Sequence, residues 1–248
     1  IHKLPPDLKG VSLDLAQELP QSKWLAQFNL IYIILTPAER SEAAYRSMYE
    51  GIVPRLIQRI AQGKGGAQRV IFTSSSHVYA ESQGGEVDES TPTEAYDYRS
   101  AALIATEKSL MQLHQHAEHK QGICVRFSGL YTENSTYVTQ QVRQNKPIAN
   151  PEHYMNRLHR KDAVGFLHHL AELQQVEALY LASDNCPVKR KVFFNAIADK
   201  LSQDICFEDN PRVGGKQCLN QRLKHSGYSL IYPSYIEGYQ LFNDLKAN

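Results

Sequence analysis

Apolar residues in this chain recur with two periods. Asn29-Leu30-Ile31-Tyr32-Ile33-Ile34-Leu35, Val70-Ile71-Phe72 and Ile123-Cys124-Val125-Arg126-Phe127 are short, nearly unbroken apolar runs, and a weaker one covers Ala178–Ala182. Runs of this length between turn-like segments predict strands buried on both faces. Other stretches show the helical period. Ile52, Leu56 and Ile60 stand four apart, with Val53 and Ile57 beside them, which predicts a helix over 37–60. Thr36 is its expected N-cap, with Pro37 at the first helical position and Glu39 in the first turn. Pro54 is expected to kink or split it. Ala101, Ala102, Leu103, Ala105, Leu110 and Leu113 predict a second helix over 99–118. Val11-Ser12-Leu13-Asp14-Leu15 alternates, which predicts a short strand ending at Asp14. Residues 16–27 read as a short helix or an irregular turn.

Strand and helix alternate at least three times up to Phe127. That pattern predicts an α/β protein, a Rossmann-like doubly wound parallel sheet. After Tyr131 the periodicity loosens. Helices are expected over 161–174, 188–201 and 233–246, with residues 81–97 read as polar turns. The expected division is a dinucleotide-type domain over 1–130 and, over 131–248, mainly a smaller C-terminal lobe with segments returning to the first domain. The glycine-rich loop Gln62-Gly63-Lys64-Gly65-Gly66 follows a helix and precedes a strand. A phosphate-cradling loop needs the reverse order, so this one is read as a helix cap and linker.

Composition narrows the function. Over 248 residues, 27 basic and 26 acidic side chains leave a net charge of +1, which favours neither a nucleic-acid nor a membrane partner. Cys124, Cys186, Cys206 and Cys218 are far apart and form no C-x-x-C pair. They suggest no metal site and no disulfide scaffold, and so a reducing, cytoplasmic setting. No apolar run approaches the ~20 residues of a membrane span, and no signal peptide is visible. Ile1-His2-Lys3-Leu4-Pro5-Pro6 lacks an initiator methionine and reads like the middle of a loop.

The strand Val70-Ile71-Phe72 runs out into Ser74-Ser75-Ser76-His77-Val78-Tyr79. Hydroxyls there either face a ligand beyond the carboxyl end of a strand or form a serine-rich turn after an edge strand. Asp88-Glu89-Ser90-Thr91-Pro92, Arg126-Phe127-Ser128-Gly129-Leu130-Tyr131 and Asn156-Arg157-Leu158-His159-Arg160-Lys161-Asp162 follow in that order. The tail runs from Gly227-Tyr228 through Tyr232-Pro233 to Gly238-Tyr239. Taken together these segments resemble the NAD-dependent epimerase/dehydratase family of extended short-chain dehydrogenases/reductases, and the tail resembles a bacterial subgroup of atypical members. The resemblance implies a Rossmann domain that binds NAD or NADP and a small-molecule, sugar-like substrate such as a nucleotide sugar. Asp14 and Leu15 would touch the adenine. Leu35, Thr36 and Pro37 would line the cofactor, Ser74 would lie near the nicotinamide ribose, and Phe127 and Ser128 near the nicotinamide. Ser75 would hold the catalytic hydroxyl position. Tyr131, His159 and Arg160 would meet substrate, and the helices at 37–60 and 99–118 would form the face of a homodimer.

Two departures qualify that implication. The family's Gly-x-x-Gly-x-x-Gly turn, in a first βα unit of its own, should precede the position of Asp14. Only thirteen residues do so here, and none makes that motif; the unit is expected before Ile1. The family also uses Tyr-x-x-x-Lys on a helix, the ammonium lowering the tyrosine pKa. A free tyrosine, with a pKa of about 10, is phenolate for only about one part in a thousand at neutral pH. None of the 14 tyrosines has a lysine four residues on. Aligning Glu107 with the family's helix glutamate puts Arg99 at the tyrosine position and Leu103 at the lysine position; a one-residue slip gives Tyr98 and Ala102. Tyr98 is therefore the candidate acid/base, without its lysine. Two functions remain open: a sugar-directed oxidoreductase or epimerase, and a dinucleotide sensor or regulator without turnover. A scaffold that has lost the cofactor is a third. His114, His116 and His119, and the adjacent His168 and His169, read as solvated helix positions rather than metal ligands. Tyr79 reads as packing, Arg126 as an ion-pair partner or a cofactor contact, and Asp162 as a local cap or a support for substrate contacts.

Overall fold

The computed structural model describes Pro5 and residues 7–64, 68–116 and 119–243. The segment before Pro5, Gly65 and Gly66 of the glycine-rich loop, and the His114 and His116 side chains lie outside the described residues. Along the chain the helices are α1 (Ser22–Leu25), α2 (Glu42–Tyr45), α3 (Val53–Ala61), α4 (Tyr98–His116), α5 (Tyr137–Arg143), α6 (Arg160–Glu172), α7 (Arg190–Leu201), α8 (Gln221–His225), α9 (Tyr235–Gly238) and α10 (Gln240–Asn243). The strands are β1 (Leu30–Ile33), β2 (Gln68–Ser75), β3 (Gln83–Val87), β4 (Lys120–Phe127), β5 (Gly129–Tyr131), β6 (Tyr154–Met155), β7 (Arg157–His159), β8 (Leu179–Ala182), β9 (Val188–Lys189) and β10 (Gly215–Cys218).

Four of these strands make one parallel sheet in the order β1-β2-β4-β8. Its strands read as apolar runs because both faces are covered. On β2, Val70 and Phe72 pack into a core with Ile57, Ile60, Leu110 and Leu113 of α3 and α4, while Ile71 between them joins a second core with Phe166 and Leu170 of α6. On β4, Cys124 enters the first core, and Ile123 and Val125 the second. The α/β architecture with a parallel sheet is therefore as expected. Ala102, Leu103, Leu110 and Leu113 of α4 are all buried, as a single apolar helix face should be. That helix lies close on β4: a Cβ on Gly122 would stand 2.7 Å from the Leu110 carbonyl oxygen. A third core is built only from residues beyond 130, among them Tyr131, Val142, Phe193, Phe194, Ile197 and Tyr235.

Local chemistry moved several boundaries. Residues 11–14 form no strand; Asp14 instead opens a turn, its Oδ1 accepting from the Ala16 amide at 3.0 Å and its carbonyl from Gln17 and Glu18. Aspartate favours such turns by bonding its own backbone two residues on. The helix expected from Pro37 begins at Glu42, because Ser41 rather than Thr36 supplies the cap, accepting from the Ala44 amide at 3.2 Å. It then widens into π-helical turns over Arg46–Ile52 before α3. Pro54 explains the position of that widening, since it has no N–H to give to a carbonyl four residues back. The single helix expected over 233–246 is broken at Tyr239, whose backbone is extended (φ −88°, ψ 128°). Within the polar segment 81–97, β3 pairs in parallel with β10. Its sequence, Gln-Gly-Gly-Glu-Val, carries little strand propensity before Val87, so a distant partner decides its conformation.

Candidate functional site

The parallel register brings the carboxyl ends of the strands to one end of the sheet. Ile33 of β1 pairs with Phe72, Ser75 of β2 with Phe127, and Phe127 of β4 with Ala182 of β8. Leu35-Thr36-Pro37, Ser74-Ser75 and Phe127-Ser128 thus leave the sheet side by side, as the single-crevice arrangement requires.

The side chains at these exits divide into sealed and open groups. Ser74 is 8% exposed and donates its hydroxyl to Glu107 Oε1 at 2.6 Å. Glu107 in turn holds Arg126 through contacts of 2.6–3.2 Å, and Arg126 donates to the Tyr79 hydroxyl at 2.8 Å. Burial opposes the charge on Arg126, yet its bonds to Glu107 raise the guanidinium pKa above the usual value. Burial also raises the Tyr79 phenol pKa. This network ties β2, α4 and β4 together.

Ser75 is partly exposed, and its Oγ accepts from the His77 amide at 3.1 Å, starting the 3-10 turn Ser76–Val78. Ser128 is buried at the β4 exit, and its Oγ has no hydrogen-bond partner among the described residues. A buried hydroxyl in that state is costly unless a ligand or water completes it. Thr36 is exposed, Pro37 buried, and Leu35 packs on the first core with its carbonyl accepting from Tyr49. Asp14 is exposed, and Leu15 lies against the same core.

Tyr98 gives its hydroxyl to the Arg40 carbonyl at 3.0 Å, and its ring meets Tyr45 edge-on at 5.5 Å. Tyr131 and His159 are brought together by the β5–β7 register, their rings 5.1 Å apart. His159 is fully enclosed, with Tyr232 at 3.9 Å on its other side. Its Nδ1 accepts from the Lys161 amide, and its Nε2 lies 3.2 Å from Glu133 Oε2 but off the line of a hydrogen bond. Burial lowers the imidazole pKa against the pull of Glu133. Arg160 is exposed. Asp162 is buried and binds the amides of Ile231 and Tyr232 at 2.7 and 3.0 Å, which fixes the tail against α6.

One group at the β2 exit had no signal in the apolar pattern. Asp97 ends the loop before α4. Its Oδ1 accepts from the Ser100 amide at 2.8 Å, capping the helix. Its Oδ2 meets His77 Nε2 at 2.9 Å and Arg99 Nε at 2.9 Å. The Tyr96 hydroxyl lies over the His77 ring, 2.9 Å from Nδ1 and 3.3 Å from Nε2. Burial works against the Asp97 charge, but the Ser100 amide, His77 and Arg99 together lower its pKa. Lys216 of β10 closes the group from the other side, donating to the carbonyls of Ser76 and Tyr79. The adjacency of a histidine to the serine run and an Asp-x-x-Ser cap twenty residues on was the only trace of it in the sequence.

Among the described residues no cluster of histidine, cysteine and carboxylates is arranged to hold a metal, and no helix is long and apolar enough to cross a membrane. No family model matches the chain, and no curated protein matches it significantly. The chain shares its fold with solved structures of nucleotide-sugar epimerases and dehydratases. A protein from Methylobacillus flagellatus assigned as an NAD-dependent epimerase/dehydratase is 24% identical, with a TM-score of 0.74 over 99% of this chain and 86% of that one. UDP-N-acetylglucosamine 4-epimerase from Methanobrevibacter ruminantium is 16% identical, with a TM-score of 0.75 over 94% of this chain and 80% of that one. UDP-glucuronic acid 4-epimerase from Bacillus cereus, solved with NAD, is 12% identical, with a TM-score of 0.74 over 94% and 80%. At these identities the likeness is one of fold.

Proposed function

We propose that this is an NAD(P)-binding protein of the nucleotide-sugar epimerase/dehydratase type, acting on a sugar-like substrate. What supports this reading is the common exit of β1, β2 and β4, which brings the residues expected to line a dinucleotide to one end of the sheet. The unpartnered Ser128 hydroxyl fits a polar ligand group at that end. In this reading Leu35, Thr36 and Pro37 wall the cofactor, with Asp14 and Leu15 toward the adenine, and Phe127 and Ser128 lie toward the nicotinamide. The bound dinucleotide would supply the hydride acceptor. Ser74 acts through Glu107, to which its hydroxyl is committed, while Ser75 orients the substrate. Tyr131 and Arg160 meet the sugar nucleotide, and His159 holds Tyr131 and Tyr232 in place. A homodimer through α2–α3 and α4 belongs to the same proposal.

A second reading, a dinucleotide sensor without turnover, is favoured by one observation: Tyr98 gives its hydroxyl to a backbone carbonyl and has no lysine partner. Thermal unfolding of the full-length protein with NAD(H) and NADP(H) tests what both share. Ligand at a hundred times its Kd adds about 2.7 kcal/mol of stability, so Tm should rise with at least one dinucleotide. An unchanged Tm with all four at millimolar concentration would end both. Turnover with UDP-sugars separates the two.

A further inference from the structure

Lys216 is a partly buried cation at the β2 exit, and no anion of the protein meets it. We propose that it binds a carboxylate on the sugar of the substrate, so that the site selects an acidic sugar nucleotide over its neutral counterpart. This rests on the epimerase/dehydratase reading and names the substrate class of the same site.

The backbone aims this side chain. β10 runs parallel to β3, and the register slips where Lys216 stands. Gly215 pairs with Gln83 and Gln217 with Glu86, so Gly84 and Gly85 together oppose Lys216. A bulge of this kind re-aims a side chain. Gly84 takes φ +89° there, a conformation that favours glycine. Asn156 holds the strand, donating Nδ2 to the Lys216 carbonyl and accepting the Cys218 amide at Oδ1, both at 2.8 Å. The Lys216 ammonium then reaches the 3-10 turn after β2. It donates to the Ser76 carbonyl at 3.2 Å and to the Tyr79 carbonyl. Ser76 directly follows Ser75, the residue that orients the substrate in the proposed reading.

A lysine ammonium has three protons to donate. Among the described residues two carbonyls accept from Lys216, and no carboxylate pairs with it. Other anchored lysines have their demand met. Lys161 pairs with Glu133 and Lys189 with Glu152. The enclosed Lys120 gives itself to the Ile60, Ala61 and Gly63 carbonyls at the end of α3. Around Lys216, Glu81 turns Oε1 to the Gln83 and Gly85 amides. Asp97 is committed to His77, Arg99 and the Ser100 amide. The Cys218 thiol, two residues on, is pushed up to about 12 by burial and stays neutral. Burial works against the Lys216 charge, and Cys218 and Glu81 offset only part of that. A charge in this state is stabilised by an anion that brings its own acceptors. The half-exposed Tyr96 ring, its centre 6.0 Å from Nζ, borders the approach. The anion belongs to the sugar rather than to the diphosphate, because Lys216 stands at the turn that follows Ser75. That is the reacting end, and the sugar ring separates it from the diphosphate.

The test is a ratio of affinities. UDP-glucuronic acid and UDP-glucose differ by a carboxylate at one carbon, and each is titrated calorimetrically into the full-length, dinucleotide-loaded protein. The wild type should prefer UDP-glucuronic acid by about tenfold to a hundredfold, the worth of a hydrogen bond to a charged group. Lys216→Met keeps most of the stem and removes the charge, and should bring the ratio to within about threefold of one. Lys216→Arg, which keeps the cation, should stay nearer the wild-type ratio. Equal affinity of the wild type for the two ligands overturns the proposal without recourse to any variant. A Lys216→Met protein that keeps the preference overturns it as well. An equal loss of both ligands in that variant places the lysine on the diphosphate and overturns the carboxylate. Dinucleotide binding without binding of either sugar nucleotide overturns it in favour of the sensor. No dinucleotide binding brings down the reading on which the proposal rests.

Discussion

Helix α4 carries two networks made of the same ingredients, a carboxylate, an arginine and a tyrosine, with opposite fates. In its middle, Glu107 binds Arg126 and Ser74, and Arg126 binds Tyr79, with the charged side chains only 6–7% exposed. At its N-terminal end, Asp97 binds Arg99 and His77, with side chains 22–42% exposed. The first network has every member's reach used up by protein, which suits a brace. The second stands half open to solvent, with Tyr96 48% exposed beside it. Burial, rather than residue type, separates the two roles.

The sharpest way to break this comparison is to remove one charge from the brace. Glu107→Gln leaves the Arg126 guanidinium enclosed without its counter-charge. Breaking a buried pair from one side costs ~3–5 kcal/mol, to be read from urea unfolding. Replacing both, as Glu107→Met with Arg126→Met, should recover most of that loss, because the cost lies in the abandoned charge. A single-variant loss below ~1 kcal/mol would mean that water reaches the pair and that the brace is no more closed than the Asp97 group.

A second buried carboxylate behaves differently. Asp184, just beyond β8, is 1% exposed; one oxygen accepts from the Cys186 amide and the other has no partner. Burial raises its pKa to about 7, against the Cys186 amide and Arg157. The sign follows from proton counting. Between the ordinary carboxylate value and about 7 the folded state binds more protons than the unfolded one, so stability falls as pH rises through that window. The shift corresponds to a loss on the order of a few kcal/mol above neutral pH. Asp184→Asn should remove that slope, so its Tm should exceed that of the wild type at pH 8 and converge with it near pH 4. Parallel Tm curves from pH 4 to 8 would show that Asp184 is ionised throughout.

The difference between the two α4 networks also marks what the sequence could disclose. The strands β1, β2, β4 and β8 were legible because a sheet covered on both faces needs apolar residues at every position, and Ser75 and Ser128 were legible as the residues where that demand stops. Long-range polar pairing was not legible. β3 and β10 join segments about 130 residues apart through glycine and glutamine, and His77 meets Asp97 from a 3-10 turn, neither of which leaves a period. Thr36-Pro37 looked like a helix start because the local pattern was right. Ser41 is the cap instead, its hydroxyl accepting from the Ala44 amide.

The smallest expected effect is the most telling for the open network. Asp97→Asn keeps an oxygen to accept the Ser100 amide, and asparagine caps helices about as well as aspartate. It removes the charge facing Arg99 and His77, but partly exposed ion pairs contribute only ~0–1 kcal/mol. Stability should therefore fall by less than ~1 kcal/mol, whereas Asp97→Ala, which removes the cap as well, should cost ~1–2 kcal/mol. Urea unfolding of the two variants side by side separates the terms. Equal losses would make the ion pairs the main contribution of Asp97 and the cap an onlooker. A small loss for asparagine beside a larger one for alanine assigns the stability to the cap at Oδ1 rather than to the ion pairs at Oδ2.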